Sequence, residues 1–422
     1  MPNSTSSASS FLSTLGVNAH SGNANNAYGN ASLTISSLKY LGIGTVRDTL
    51  PGSGIGNAVV NAMAAAGVKF DFVTSSGLPA TGASGLANYV ASLTDFQTRH
   101  AGSIVAIEGL NEANTQEFSY NGSGSLASAV AYQKALYTAV KGTAGLSGVS
   151  VINMSIALES PSAYAAIGDL GAYSDFANAH AYTASGGLSD KVMEASMARA
   201  AAASKGDKVV ITETGYTTLS SDPGLGVNES AQAKLTVNAL LTAFENGSSQ
   251  TFLYELFDSS LNPSGSEKEF HFGLFNADGS PKQAATAVHN LTSLLSYVDA
   301  GTGTAASAAT AYSLGGMPAD GHSMTLTKTN GAYDILLWRD ANLWNTTTQS
   351  ETALATKTVT IDLGGLQKTV YVYDPLRGSA PIASYTNVSQ ITLAVGDRAL
   401  VVEVGSKSAY TDIATPVGIT AT

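Results

Sequence analysis

Two glutamates close apolar runs in this chain. Glu112 follows Asn111 in "IEGLNEANT" (107–115), and Glu213 sits near the end of "KVVITET" (208–214). A single carboxylate at a strand tip is commonly a solvated end residue. Two that face each other across one rim can cleave a glycosidic bond. One gives a proton to the leaving oxygen, the other attacks the anomeric carbon, and a separation near about 5 Å implies retention of configuration. Other tips add His20, Arg47 with Asp48, His180 with Tyr182, and Tyr254 with Glu255. We take His20, Arg47, Asn111, His180, Tyr182, Tyr254 and Glu255 as candidates for substrate contact. Glu255 ends an aromatic-rich run where a sugar ring could stack. Glu108 shares a strand face with Leu110 and Glu112, so it points inward. A buried carboxylate demands a partner, and Arg47 is the natural one.

The elements that would position these groups repeat. Eight strand-like runs occur at 15–20, 42–48, 68–74, 103–112, 149–156, 175–182, 208–214 and 251–258, each followed by an alanine-rich helical stretch. A strand-helix period of about 33 residues fits a (β/α)8 TIM barrel, which takes about 250 residues and carries its chemistry at the carboxyl ends of its strands. Strands four and seven lie nearly opposite each other in such a ring, so Glu112 and Glu213 can converge over its mouth. An open doubly wound sheet has the same alternation. It would want a glycine-rich phosphate loop after its first strand, and none is present. A last helix, "PKQAATAVHNLTSLLSYV", closes the ring.

Beyond "DAGTGTAASAATAY" (299–312) the helical period vanishes. Short alternating strands follow, separated by turn signals such as Thr329-Asn330-Gly331, Gly364-Gly365 and Val395-Gly396-Asp397. These read as a β-sandwich of roughly 100 residues, which a short amino-terminal strand could join. The expected organisation is a barrel over 11–298, a sandwich over 299–405 and a loose tail over 406–422. Trp338 and Trp344 fall in the sandwich, where a core or interface role outweighs a carbohydrate platform. Asp258, Glu269 and His271 follow strand eight and could line the cleft.

Composition narrows the function. Of 422 residues, 44% are apolar and only 12% charged, a globular balance. A net charge of −11 without any basic run argues against nucleic acid and against anionic membrane surfaces. With no cysteine there is no disulfide, thiolate metal site or cysteine nucleophile. The cluster "SGNANNAYGN" (21–30) lacks a calcium-loop pattern and reads as turns. No cofactor is called for. The start, "MPNSTSSASSFL", has no signal peptide; a Met placed after a removed leader looks like this, and so does a cytoplasmic protein with a loose amino end. The uncharged Ser/Thr/Asn-rich surface suits a secreted or periplasmic protein, a monomer or weak homo-oligomer.

Several tips, in order, resemble those of the clan A glycoside hydrolases. "EGLNEAN" is similar to the Glu-x-Trp-Asn-Glu-Pro-Asn signature of family 39 and its relatives, with Leu110 for Trp and Ala113 for Pro. "YLGIGTVRD" resembles the clan's second strand and maps Arg47. "NAHAY" resembles its His-x-Tyr tip and maps His180 and Tyr182. "ITET" maps Glu213, and "FHFGLFNADGSPKQAA" is similar to the closing segment. The likeness spans about 15–295. It implies a retaining hydrolase of β-linked saccharides, with Glu112 as general acid/base and Glu213 as nucleophile. Glu112 would need a raised pKa to stay protonated. Arg47 and Tyr182 would hold Glu213, Asn111 would meet the sugar 2-hydroxyl, and His180 would bind hydroxyls or orient an acid. The alternative is a non-catalytic carbohydrate-binding barrel. A lyase or isomerase would want a metal or a lysine that these tips do not offer.

Overall fold

The computed structural model describes residues 4–23, 25–187, 189–259, 265–296 and 312–405. Eight parallel strands form one sheet: Leu15–Asn18, Thr45–Asp48, Lys69–Thr74, Ile104–Leu110, Ser150–Ile152, Ala177–His180, Val209–Thr214 and Gln250–Leu253. They are almost wholly buried, as strands covered on both faces must be. The ring closes between the fifth and sixth strands through one parallel bridge, Ile152 to Phe176. Backbone bonds on either side, Asp175 N to Val151 O (2.7 Å) and Asn153 N to Phe176 O (3.0 Å), complete the seam. The fold is a TIM barrel, as the period required.

Helices cover the ring, and local chemistry sets their ends. Asn30 caps Ala31–Leu41 by accepting from Leu33 N at 3.1 Å, and Gly42 ends that helix at φ 67°. Asn228 caps Glu229–Glu245 by accepting from Ala231 N at 2.8 Å. That helix is buried on nearly every side from Ala231 to Ala243. The barrel packs on one flank and the second domain on the other.

The second domain is a β-sandwich made by one sheet folding over. Its strands run in the order Ser4–Ser7, Gly321–Thr327, Tyr333–Arg339, Leu400–Val404, Lys357–Tyr373 and Ser313–Gly315, with Ala383–Val395 also paired to Lys357–Tyr373. The amino-terminal strand joins it in parallel, Ser4 opposite Met324. Alternation along Tyr333–Arg339 separates two faces. Ile335 and Leu337 enter the sandwich's own core with Val359, Val372 and Val402. Leu336 and Trp338 join the barrel's core. Trp338 donates to Thr242 Oγ1 at 3.1 Å and is fully buried, the interface role expected of it. Trp344 packs with Tyr216 and Leu235. On the Leu336 side of the sheet, Lys328 holds Glu403 at 2.7 Å and Asp334 at 3.0 Å, all three sealed from water.

One expectation needs correcting. Gly364-Gly365 reads as a turn between two strands, yet Lys357–Tyr373 is a single strand. A register shift between Asp362 and Gln367 absorbs the glycines as a bulge. The small-residue linker lies almost entirely, and the 406–422 tail entirely, outside the described residues.

Candidate active site

The inside of the barrel is polar where a barrel core is ordinarily aliphatic. Asn18, Arg47, Asp71, Glu108, Asn178 and Thr212 come from six different strands and are all buried. Arg47 is their hub. Its Nε and Nη2 grip Glu108 at 2.5 and 2.8 Å, the bidentate pairing suited to a guanidinium. Its Nη1 reaches Asn18 Oδ1 at 2.9 Å and Glu213 Oε1 at 2.7 Å, and Nη2 also reaches Asn111 Oδ1 at 2.6 Å. Glu108 is thus the inward carboxylate anticipated, partnered as its burial required. Asn178 donates to Glu108 Oε1 at 2.9 Å and accepts from Thr212 at 2.6 Å.

Above this floor, Glu213 is held on both oxygens. Arg47 takes one, and the Tyr182 hydroxyl donates to the other at 2.8 Å. Glu112 stands two residues beyond the fourth strand in the left-handed region, at φ 43°. Such a conformation costs a non-glycine residue energy and persists where surroundings impose it. Here Ser155 imposes it. Its hydroxyl accepts from Glu112 N at 2.8 Å and its carbonyl from Ala113 N at 3.1 Å.

His180 lies between the two acids. Its Nδ1 is 3.0 Å from Glu112 Oε1 and 3.4 Å from Glu213 Oε2. One ligand-type atom from each of the three groups falls within 4.8 Å of the others, so the carboxylates approach at about the separation that retention needs. Three such atoms could also face a cation. The Arg47 guanidinium already supplies the positive charge on Glu213.

Protonation in this trio departs from expectation. Burial acts most strongly on Glu112 and pushes its pKa up. The His180 hydrogen bond and charge, with Gln116 and Arg47, outweigh it and hold Glu112 below the ordinary carboxyl range. Burial likewise depresses His180, but Glu213 and Glu112 raise it above the usual imidazole value. Both shifts run opposite to the raised Glu112 pKa that a resting general acid would need: they favour the proton on His180 over Glu112.

The cavity over these groups has a volume of about 1150 Å³ and is lined by His20, Arg47, Asn111, Glu112, His180, Tyr182, Glu213 and Tyr254 among others. Tyr182, Tyr254 and Phe272 make an aromatic wall with ring centroids 5.3–6.4 Å apart. His20 packs edge-on against Tyr254 and keeps about a third of its side chain open, while desolvation lowers its pKa to about 4. Glu269 and Lys268 reach the rim. Glu255 does not line the cavity. It is 1% exposed, accepts from the Tyr28 hydroxyl at 2.9 Å, and burial pushes its pKa well up, so it supports the wall from behind. Asp258 pairs with Lys282 at 2.7 Å and His271 meets Gly265 O at 2.9 Å, so both serve the loop, not the cleft. Asn18, Asp71, Asn178, Thr212 and Ser155 escape a reading of strand tips. Period-two spacing inside the strands, which places Asp71 on the Val73 face, is the one signal for the inward set.

No family model matches the chain, and no curated protein matches it. Solved structures do. The GH39 enzyme from Xanthomonas axonopodis pv. citri aligns with a TM-score of 0.59 at 12% identity, covering 93% of each chain. A monomeric β-xylosidase from Caulobacter crescentus aligns equally well, 0.59 at 12% identity, covering 93% of this chain and 95% of that one. A glucosidase from Croceicoccus marinus reaches 0.56 at 12% identity over 89% and 92%. Both domains are included in these alignments. The chain has the fold of clan A glycoside hydrolases and resembles family 39 in architecture.

Proposed function

We propose that this chain is a retaining glycoside hydrolase acting on β-linked saccharides. The observation that carries this reading is the pair Glu112 and Glu213, brought within 4.8 Å through His180 at the foot of an open cavity. Glu213, oriented by Arg47 and Tyr182, attacks the anomeric carbon. The glycosidic oxygen takes a proton from Glu112 as its bond breaks, which leaves a glycosyl-enzyme ester on Glu213. Glu112 then removes a proton from water, which attacks the ester and frees Glu213. With its pKa held down by His180, Glu112 gains its proton for the first step by transfer. The 3.0 Å contact with His180 Nδ1 is the route. Asn111, held by Arg47, faces the cavity where a sugar 2-hydroxyl would sit.

The leaving group departs on the Glu112 side. Thr115 and Gln116, both bonded to Glu112, line the cavity there, whereas Tyr182 of the aromatic wall holds Glu213. The cavity volume accommodates more than one sugar unit. A neighbour that is a β-xylosidase supports a β-linked substrate. We place the enzyme outside the cytoplasm, as a monomer or weak homo-oligomer, on its uncharged surface. Among the described residues no helix is long and apolar enough to cross a membrane.

The test is a panel of plant and bacterial polysaccharides and aryl β-glycosides, with products resolved by size and anomeric form. Glu213→Gln should abolish turnover on all of them. Glu112→Gln should lose about 10²–10⁴-fold on unactivated glycosides and far less on aryl glycosides whose leaving group needs no proton. Binding without turnover by the unmutated protein would point instead to a carbohydrate-binding barrel.

A further inference from the structure

Asp71 sits in the third barrel strand, level with Arg47 on the second. It is fully buried, and neither carboxyl oxygen accepts a hydrogen bond from an N–H or O–H among the described residues. Burial of an ionised carboxylate without donors is among the costliest arrangements a core can hold. Asp71 pairs with Ala106 on the fourth strand, so Glu108 stands one same-face step further along; the charges acting on Asp71 are Glu108 and Arg47, and more remotely it acts on Tyr89 of the helix Gly82–Arg99. The donors of Arg47 are spent on Glu108, Asn18, Asn111 and Glu213. Glu108 has room for one more donor. Its Oε1 accepts from Arg47 and Asn178, while its Oε2 accepts only from Arg47 Nε.

We infer that Asp71 is a neutral acid that donates its proton to Glu108, and that this shared proton positions Arg47 under Glu213. Two like carboxyls at such range cannot both ionise in a low-dielectric interior. Burial, the largest influence, and the Glu108 charge both push the Asp71 pKa well up. With Asp71 neutral, Arg47 answers two anions, Glu108 and Glu213, and its Nη1 stays aimed at the latter. An ionised Asp71 would be a third anion competing with Glu213 for the guanidinium. Asp71 touches no substrate; it is a positioning residue. The inference deepens the hydrolase reading, on which its kinetic part rests.

The experiment compares Asp71→Asn and Asp71→Leu with the unmutated protein. A neutral Asp71 has a folded pKa above its unfolded one. As pH rises past the ordinary carboxyl range, the unfolded chain releases a proton that the folded chain keeps, so stability falls. Asn has no such loss. Asp71→Asn should therefore melt a few degrees higher than the unmutated protein at pH 7, with the gap closing towards pH 4. It should also remove an infrared carbonyl band of a protonated carboxyl. kcat should stay within about threefold for Asp71→Asn and fall at least tenfold for Asp71→Leu with little change in KM, since Leu cannot donate. If Asp71→Asn melts lower at pH 7 and leaves the infrared band unchanged, Asp71 is an ionised partner of Arg47 and the inference is overturned. Melting and infrared readings need no substrate, so they decide the proton's place even if the chain proves inactive.

Discussion

Two buried clusters of charge can be set side by side. At the barrel mouth Arg47 serves Glu108 and Glu213; in the sandwich Lys328 serves Asp334 and Glu403. Each sets one cation against two carboxylates. They differ in outlet and in the shape of the cation. Every member of the sandwich cluster is sealed, at most 4% exposed, whereas Glu213 keeps 7% open beneath the cavity. Lysine is a point charge, while the guanidinium is a planar fork. Arg47 can grip Glu108 along one edge and still present Nη1 to Glu213. The same inventory of charge thus locks one domain together and, where a fork meets a cavity, holds a carboxylate ready for a ligand.

Substitutions can sharpen or break that contrast. The largest expected effect is a crossed pair. Glu213→Gln should remove turnover, at least about 10³-fold in kcat, while leaving the melting temperature within a few degrees. Lys328→Met should leave kcat per folded molecule unchanged and cost about 3–5 kcal/mol of stability by stranding two buried carboxylates. Denaturant unfolding beside steady-state kinetics reads both. If Lys328→Met lowered kcat and spared stability, the division of labour would be wrong. Next in size is Arg47→Lys. It keeps the charge but loses the fork, so kcat should fall about 10²-fold as Glu213 drifts from its position. The smallest effect is a pH dependence. Burial, above all, raises Asp334 to about 7, against the help of Lys328. The unmutated protein should lose stability relative to Asp334→Asn as pH climbs from about 4 towards 7. Thermal melts at pH 4.5, 6 and 7.5 would show whether that gap widens, and a constant gap would mean Asp334 is ionised throughout.

How far the sequence carried this picture depends on range. Parallel strands buried on both faces appear as apolar runs, so the eight strands of the barrel and the tip residues Glu112 and Glu213 were legible. Lys357–Tyr373 was split because a glycine pair at a bulge looks like a glycine pair at a turn. The low Glu112 pKa is invisible in the sequence because its partner His180, 68 residues away, contributes a hydrogen bond that no local pattern reveals. Glu255 looks like a substrate residue in the sequence because its contact with Tyr28 spans 227 residues. Asp71 and Asn178 are not legible as inward groups because a lone polar letter within an apolar run carries no sign of what it will face.

The strand Ser4–Ser7 has a consequence for biosynthesis. It pairs in parallel with Met324–Thr327, residues made some three hundred positions later. While the ribosome works, the barrel can assemble from local strand-helix units, but this first segment must wait, unpaired, for most of translation. Contacts so distant in the chain are slow to form and leave an open sheet edge meanwhile. Deleting residues 4–7 should therefore leave barrel assembly unchanged, yet leave the finished sandwich with a bare edge at Gly321–Thr327, prone to self-association.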